Sequence, residues 1–203
     1  MNDLVVLVAD KDMKFGVSAL LSRSHTLGLR RIESDVYVHP EHDSSCLLRP
    51  HEFLRSFLRR YSNALVMLDR EGCGQEHLSR ERLELQVESR LAANGWNGRA
   101  AAIIIDPELE VWVWSDSPHV DVVLGWGARD PDLRAWLVAR GYTNQRGEKP
   151  RRPKEAVREA LRFVHKPPSS SLFSQLATIV SFGRCSDPAF AKFKATLRNW
   201  FSK

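Results

Sequence analysis

The sequence predicts an α/β fold, a mostly parallel sheet flanked by helices, with a helical C-terminal extension. Two observations carry this. Short continuous apolar runs, "LVVLVA", "ALVML" and "RAAAIII", alternate with longer amphipathic stretches through the first 126 residues. Beyond Trp126 the apolar runs cease, and four helical patterns follow one another. The expected division is an α/β domain over residues 1–126 and a helical extension packed on it over 127–203.

The elements follow in order. "LVVLVA" (4–9) reads as a strand covered on both faces, because a doubly buried parallel strand has no polar side to alternate with. Phe15, Ala19 and Leu20 then recur at helical spacing up to about Arg23. "LRRIESDVYVH" (29–39) partly alternates and carries β-branched residues, so it reads as a second strand. "RPHEFLRSFLRRY" places Phe53, Leu54, Phe57 and Leu58 on one helical face, and "ALVMLD" is the third strand. "EHLSRERLELQVESRLAANGW" puts Leu83, Val87 and Leu91 in one stripe, stopped at Asn94-Gly95. "RAAAIIID" (99–106) is the fourth strand.

"PELEVWVW" fits either a helix capped by Asp106 or a strand. In the extension, "DPDLRAWLVARGY", "RPKEAVREALRFV", "SSSLFSQLATIVSF" and "SDPAFAKFKATLRNWF" all look helical. The first and last open on Asp-Pro, a capping residue followed by proline at the first helical position. "HKPPSSS" is a linker. Trp112, Trp114 and Trp126 are expected in the core, since indole rings bury large areas.

Composition narrows the setting. The 203 residues suffice for one full-sized domain with an appendage. Cys46, Cys73 and Cys185 are odd in number and form no CxxC pair, which argues against a disulfide framework or a structural zinc site. A reducing cytoplasm is the expected compartment. The opening apolar run is too short for a signal peptide or a membrane span, so no membrane partner is expected.

The functional signal lies in acids at strand ends. "LVVLVAD" leads into Asp10 and Asp12, "LVMLDRE" into Asp69 and Glu71, and "IIIDPELE" into Asp106, Glu108 and Glu110. Ligands in open parallel sheets sit at the carboxyl ends of strands. If these strands are neighbours, as many as seven carboxyl groups share one rim and repel unless a positive charge joins them. A divalent cation such as magnesium, which takes oxygen ligands, is the expected partner. Acids also simply end strands and cap helices, and Asp12 and Asp106 each fit a cap. Gly72 and Gly74 fit a turn, or a loop whose backbone a phosphate approaches.

The order strand with an acid, strand with "LDRE", strand with "DPELEVWVW" resembles the Toprim fold. More narrowly it resembles small stand-alone Toprim-like proteins related to the OLD nucleases of bacterial anti-phage defence. "IIIDPELEVWVWSD" carries most of that likeness, and "SDPAFAKFKATLRNWF" is similar to the closing helix of the group. The resemblance implies a Rossmannoid sheet and Mg2+ or Mn2+, with Asp69 and Glu71 in the place of the acidic metal-binding pair and Glu108 or Glu110 as the extra ligand; the strand-end acids Asp10 and Asp12 complete the expected ligand set. It implies phosphodiester hydrolysis of nucleic acid, most simply DNA, with Asp10, Asp69, Glu71 and Glu108 catalytic. Other defence-system proteins are then expected partners. The family normally closes its first strand with a glutamate; here Ala9 stands there and Asp10 follows with a shorter arm. A non-catalytic nucleic-acid- or protein-binding subunit of a defence complex is the alternative.

Charge supplies a second signal. The chain carries a net +5, and "RGEKPRRPKEAVREALRFVHK" alone holds eight Lys/Arg against three Glu. Lys149, Arg151, Arg152, Lys154, Arg158 and Arg162 are the expected phosphate contacts, with 154, 158 and 162 at i, i+4 spacing on one stripe. A solvated helix face explains the same block. "HPEHDSSC" (39–46) offers His39, Glu41, His42, Asp43 and Cys46 to a transition metal, but with no second half at paired spacing it is read as a polar surface loop; if that loop overhangs the rim, His42 or Asp43 would help position substrate. "VLVADKDM", "LVMLD" and "HKP" are also similar to phosphorelay receiver domains, but Lys166 lies 97 residues beyond Asp69.

Overall fold

The computed structural model describes residues 1–180 and 185–202. Among them, β1 (Asn2–Val8), β2 (Ser34–Val38), β3 (Tyr61–Asp69) and β4 (Ala100–Ile105) form one sheet in the order β2-β1-β3-β4. Every pairing is parallel, with Val6 opposite Val36 and Leu65, and Leu65 opposite Ala101. The fold class is therefore the predicted one: an α/β sheet with helices on both faces and a helical C-terminal region.

The continuous apolar runs are explained by two cores. Leu4, Val6 and Val8 of β1, with Leu65, Met67, Ile103 and Ile105, face one side. Val5, Leu7, Val66, Leu68 and Ile104 face the other. Successive side chains of a strand point to opposite faces, so strands with two buried faces have no polar alternation to show. The first face is covered by α1 (Lys11–Ser22) and by α6 (Leu133–Ala139), α7 (Pro153–Phe163), α8 (Ser171–Ile179) and α9 (Pro188–Phe201). The second is covered by α2 (His42–Leu48), α3 (Pro50–Leu54) and α4 (Arg80–Leu91). The short α5 (Pro118–Val123) completes the first layer.

Several local expectations change. The second strand keeps only its C-terminal half, since β2 begins at Ser34. "RPHEFLRSFLRRY" forms a short α-helix followed by a 3-10 turn, Arg55–Phe57, instead of one helix. "HPEHDSSC" is not a loop: α2 starts at His42 and buries Ser45, Cys46 and Leu47. "PELEVWVW" is neither strand nor α-helix but a 3-10 turn over Leu109–Trp112. Asp106 does not cap it; its carboxylate turns to Arg70 Nε at 2.9 Å. Asp10, not Asp12, caps α1, and Asp132, not Asp130, caps α6. Asp187-Pro188 opens α9 as expected. Trp114 and Trp126 are buried; Trp112 is half-buried, with Nε1 donating to Asp187 Oδ1 at 2.9 Å. The helix read in "SSSLFSQLATIVSF" ends at Ile179, and residues 181 and 182 lie outside the described ones.

Two polar devices hold the sheet's outer end. Gly95, at φ +91°, ends the α4 segment as the Asn94-Gly95 signal foretold. Beside it, the Arg99 guanidinium donates to the carbonyls of Leu58, Tyr61, Ser62 and Gly95 and lies 4.2 Å over the Trp96 ring. Along the outer edge of β4, the amides of Ala102 and Ile104 donate to Glu88 and Glu84 of α4. Lys192 of α9 pairs with both glutamates, at 2.8 and 3.2 Å. Among the described residues, no helix is long and apolar enough to cross a membrane.

Candidate functional site

The topology opens a crevice between β1 and β3. The helix after β1 packs on one face of the sheet and the helix after β3 packs on the other. The chain thus diverges beyond the carboxyl ends of two neighbouring strands, the usual ligand position in such sheets. Asp10 and Asp69 stand at these two ends.

Asp69 is the last residue of β3 and is only 4% exposed. The pleat puts it on the same face as Leu65 and Met67, beneath the 109–112 turn and α7. Its backbone amide donates to Asp43 Oδ1 at 2.9 Å. Its own Oδ1 is buried with no hydrogen-bond partner. Burial, followed by the nearby carboxylates of Asp43, Glu110 and Asp10, pushes the Asp69 carboxyl far above the usual carboxylate range. A buried carboxylate oxygen without a donor is costly, and the upward shift lowers that cost by favouring the neutral acid.

The surrounding groups come from four elements. Asp10 Oδ1 accepts from the Met13 amide at 2.8 Å, which fixes it as the cap of α1. Asp43, in the first turn of α2, is also shifted upward, chiefly by burial and then by Asp10. Glu108 and Glu110 flank the start of the 3-10 turn, both 6% exposed. Glu108 Oε1 accepts from the Lys154 amide at 2.9 Å, satisfying one of the open donors at the start of α7. Glu110 is pushed up to about 7, mainly by burial, with Glu108 adding to the shift.

The cation at this rim is Lys154. Its Nζ lies 3.2 Å from Glu108 Oε2 and 3.9 Å from Glu110 Oε1. Burial works to lower the Lys154 pKa, but Glu110 and Glu108 outweigh it and the ammonium is held protonated. A residue read from the sequence as a phosphate contact is thus the counter-ion of the acids. One ammonium still faces five carboxyls, those of Asp10, Asp43, Asp69, Glu108 and Glu110, and three of these, Asp43, Asp69 and Glu110, answer by taking up protons more readily.

The remaining predicted residues lie further out. Asp12 accepts from Ser170 Oγ at 2.5 Å, linking α1 to the start of α8. Glu71 is exposed on the loop after β3, its amide donating to the Pro107 carbonyl at 2.9 Å. The glycine turn beside it is closed by Glu76, whose Oε1 accepts from the Gly72 and Gly74 amides, both at 3.0 Å. In the basic block, Arg152 pairs with Glu155 and Arg162 with Glu159. Arg151 and Arg158 are exposed and Lys149 is half-buried, and none of the three has an ion-pair partner among the described residues.

Two features were only partly visible beforehand. Asp43 does sit at the rim, but through a helix and a backbone contact that the loop reading did not contain. His42 adopts a left-handed backbone, φ 58°, and its Nδ1 donates to the Ala9 carbonyl at 3.1 Å. Only an N–H can approach a carbonyl, so Nε2 is left as the acceptor nitrogen of the neutral ring.

Whether a divalent cation fits can be tested on these atoms. The donor set is all oxygen, as a hard cation requires, and includes one buried, unpartnered carboxylate oxygen. Against this, among the described residues no group of three or more His, Cys, Asp or Glu side chains stands ready to hold a metal ion. The chemistry fits; the arrangement is drawn toward Lys154 instead. No family model, curated protein or solved structure matches the chain.

Proposed function

We propose that the crevice between β1 and β3 binds Mg2+ or Mn2+ and that the protein is a divalent-metal-dependent phosphodiesterase acting on nucleic acid. The observation that carries this is Asp69: buried, with an unpartnered Oδ1, at a parallel strand end among Asp10, Asp43 and Glu110. Asp69 would hold the cation, with Asp10, Asp43 and Glu110 drawing in around it; Glu71, exposed on its loop, lies further out. When bound, the metal would supply Lewis-acid stabilisation of charge on phosphate oxygens and a more acidic water. Lys154 keeps Glu108 and Glu110 in place. His42, oriented through Nδ1, presents Nε2 to accept a proton. The setting is a cytoplasm that keeps the three cysteines reduced, and the first substrates to try are those of anti-phage nucleases, DNA before RNA.

A second reading has its own observation. Lys154 already neutralises part of the rim, and Ala9 occupies a position where a longer acid would reach further. On that reading the chain is a non-catalytic binding subunit of a defence complex. Two measurements separate the readings. Thermal melts with and without MnCl2 should show stabilisation that Asp69→Asn removes, since a ligand bound only to the folded state stabilises it by mass action. Cleavage of DNA and RNA in MnCl2, lost in Asp69→Asn, supports the enzyme. Stabilisation without cleavage supports the second reading, and no stabilisation rejects the metal site.

A further inference from the structure

At the far end of α7 from Lys154, an aromatic cleft lies outside the crevice. Phe163, the last residue of α7, is 44% exposed although it is large and apolar. Its ring stacks on Trp126 with centroids 5.1 Å apart and planes 16° apart. Trp126 is 2% exposed and lies 5.1 Å from Trp136, so the exposed ring rests on a fixed base. Arg140 holds its guanidinium 5.6 Å over the Trp136 ring. Between Trp136, Arg140, Glu159, Arg162, Phe163 and His165 is a pocket of about 330 Å³. Trp136 Nε1 is buried with no partner, leaving an N–H donor unsatisfied in this wall.

The charges around the cleft favour an anion. Arg140 and Arg162 line it with one carboxylate, Glu159, which is engaged with Arg162 at 3.2 Å. An exposed aromatic on a rigid base, ringed by arginines, suits a planar ring carrying phosphate: the base gains a stack and the arginines meet the backbone. A base inside a duplex offers no free face to stack, so the fitting polymer is single-stranded. Phe163 is nine residues along α7 from Lys154, about two and a half turns at ~3.6 residues per turn, so the cleft and the crevice lie on opposite sides of the helix.

We propose that the Phe163–Trp136 cleft binds single-stranded nucleic acid, one base stacked on Phe163 and the backbone held by Arg140 and Arg162. This rests on the nucleic-acid part of the functional reading and not on its metal part. The test is therefore run in EDTA, by tryptophan fluorescence, with a mixed-sequence single-stranded oligonucleotide of about twelve nucleotides, within the usual range of single-strand sites. Binding should quench the emission of Trp126 and Trp136. Phe163→Leu, which keeps apolar cover over Trp126, should weaken binding by about tenfold, the lower part of what one base stack contributes. Arg140→Gln and Arg162→Gln should each reduce the salt slope by about 0.7, the single-strand value per phosphate. No quenching, a Phe163→Leu variant that binds like the parent, or a duplex that binds as well as the single strand would overturn the proposal. So would displacement of the oligonucleotide by poly-glutamate at equal charge, which would assign the cleft to an acidic protein partner. Quenching without any Mn2+ effect on melting leaves the cleft standing and removes the metal site.

Discussion

Replacing Glu110 by Gln should stabilise the protein at alkaline pH and leave it nearly unchanged at acidic pH. The folded state raises this carboxyl from 4.5 to about 7, chiefly because it is buried. Between those values the folded protein keeps a proton that the unfolded chain releases. Stability therefore falls as pH rises through this window and levels off above it. The shift, at about 1.4 kcal/mol per pK unit, corresponds to about 3 kcal/mol. Glu110 is almost fully buried, so solvent screening takes little from that figure. The Glu110→Gln side chain is neutral at every pH and has the shape of the protonated acid, so it escapes the penalty. Lys154 retains Glu108 at 3.2 Å and is not orphaned. The assay is urea unfolding of parent and variant at about pH 5 and about pH 8, analysed by linear extrapolation. His39, lowered by burial, titrates with the opposite sign in both proteins and cancels in the difference. The expected difference is near zero at the lower pH and up to about 3 kcal/mol in favour of the variant at the higher. A variant no more stable than the parent at about pH 8, or an equal difference at both, would refute the account of Glu110 as a carboxyl whose charge is penalised by burial.

Three further outcomes are expected. Lys154→Met strips the ammonium from two buried glutamates and should cost about 2–3 kcal/mol near pH 8, below the range for a fully buried pair because Lys154 is partly exposed; the loss should shrink near pH 5, where Glu110 is protonated. Glu84→Ala removes the acceptor of the Ile104 amide and a partner of Arg80 and Lys192, with an expected loss of about 2–3 kcal/mol in urea unfolding and faster hydrogen exchange at Ile104. Because Lys154 is turned inward, replacing Arg151 and Arg158 together by Ala should lower the salt slope of duplex DNA binding by about 1.8 and Lys154→Met should change it least; the reverse order would place Lys154 on the phosphate backbone.

What the sequence disclosed follows from how its signals arise. Runs such as "LVVLVA" and "AAAIIID" report burial on both faces, a property of whole strands, so the parallel sheet was readable from composition along short windows. The shared edge was readable because strand ends in a parallel sheet lie together, and β1, β3 and β4 are neighbours; of the seven acids expected there, Asp12 turns to Ser170, Asp106 to Arg70, and Glu71 is exposed. The partner of those acids was not readable. Lys154 reaches them because α7 starts against Glu108, a contact across 46 residues with no local pattern to announce it, while its place in a basic run suggested the opposite role. Asp106 before proline carried a cap signal, yet Arg70 from the neighbouring loop claims its carboxylate. Likewise "EHDSSC" looked polar in sequence, although one face of α2 buries Ser45, Cys46 and Leu47 against the sheet.

The glutamates along β4 carry a consequence for how this chain can meet others. A strand at the end of a sheet offers a row of unused amides on which a second chain can assemble. Here Ala102 and Ile104 already give theirs to Glu88 and Glu84, and Lys192 fastens α9 over the same carboxylates. A strand arriving at that margin would find its bonds spent and would have to expel two glutamates and a lysine to form any. The opposite margin is β2, short and half-exposed. Growth of the sheet, whether into a partner or into an aggregate, is therefore steered to β2, across the sheet from the sealed edge.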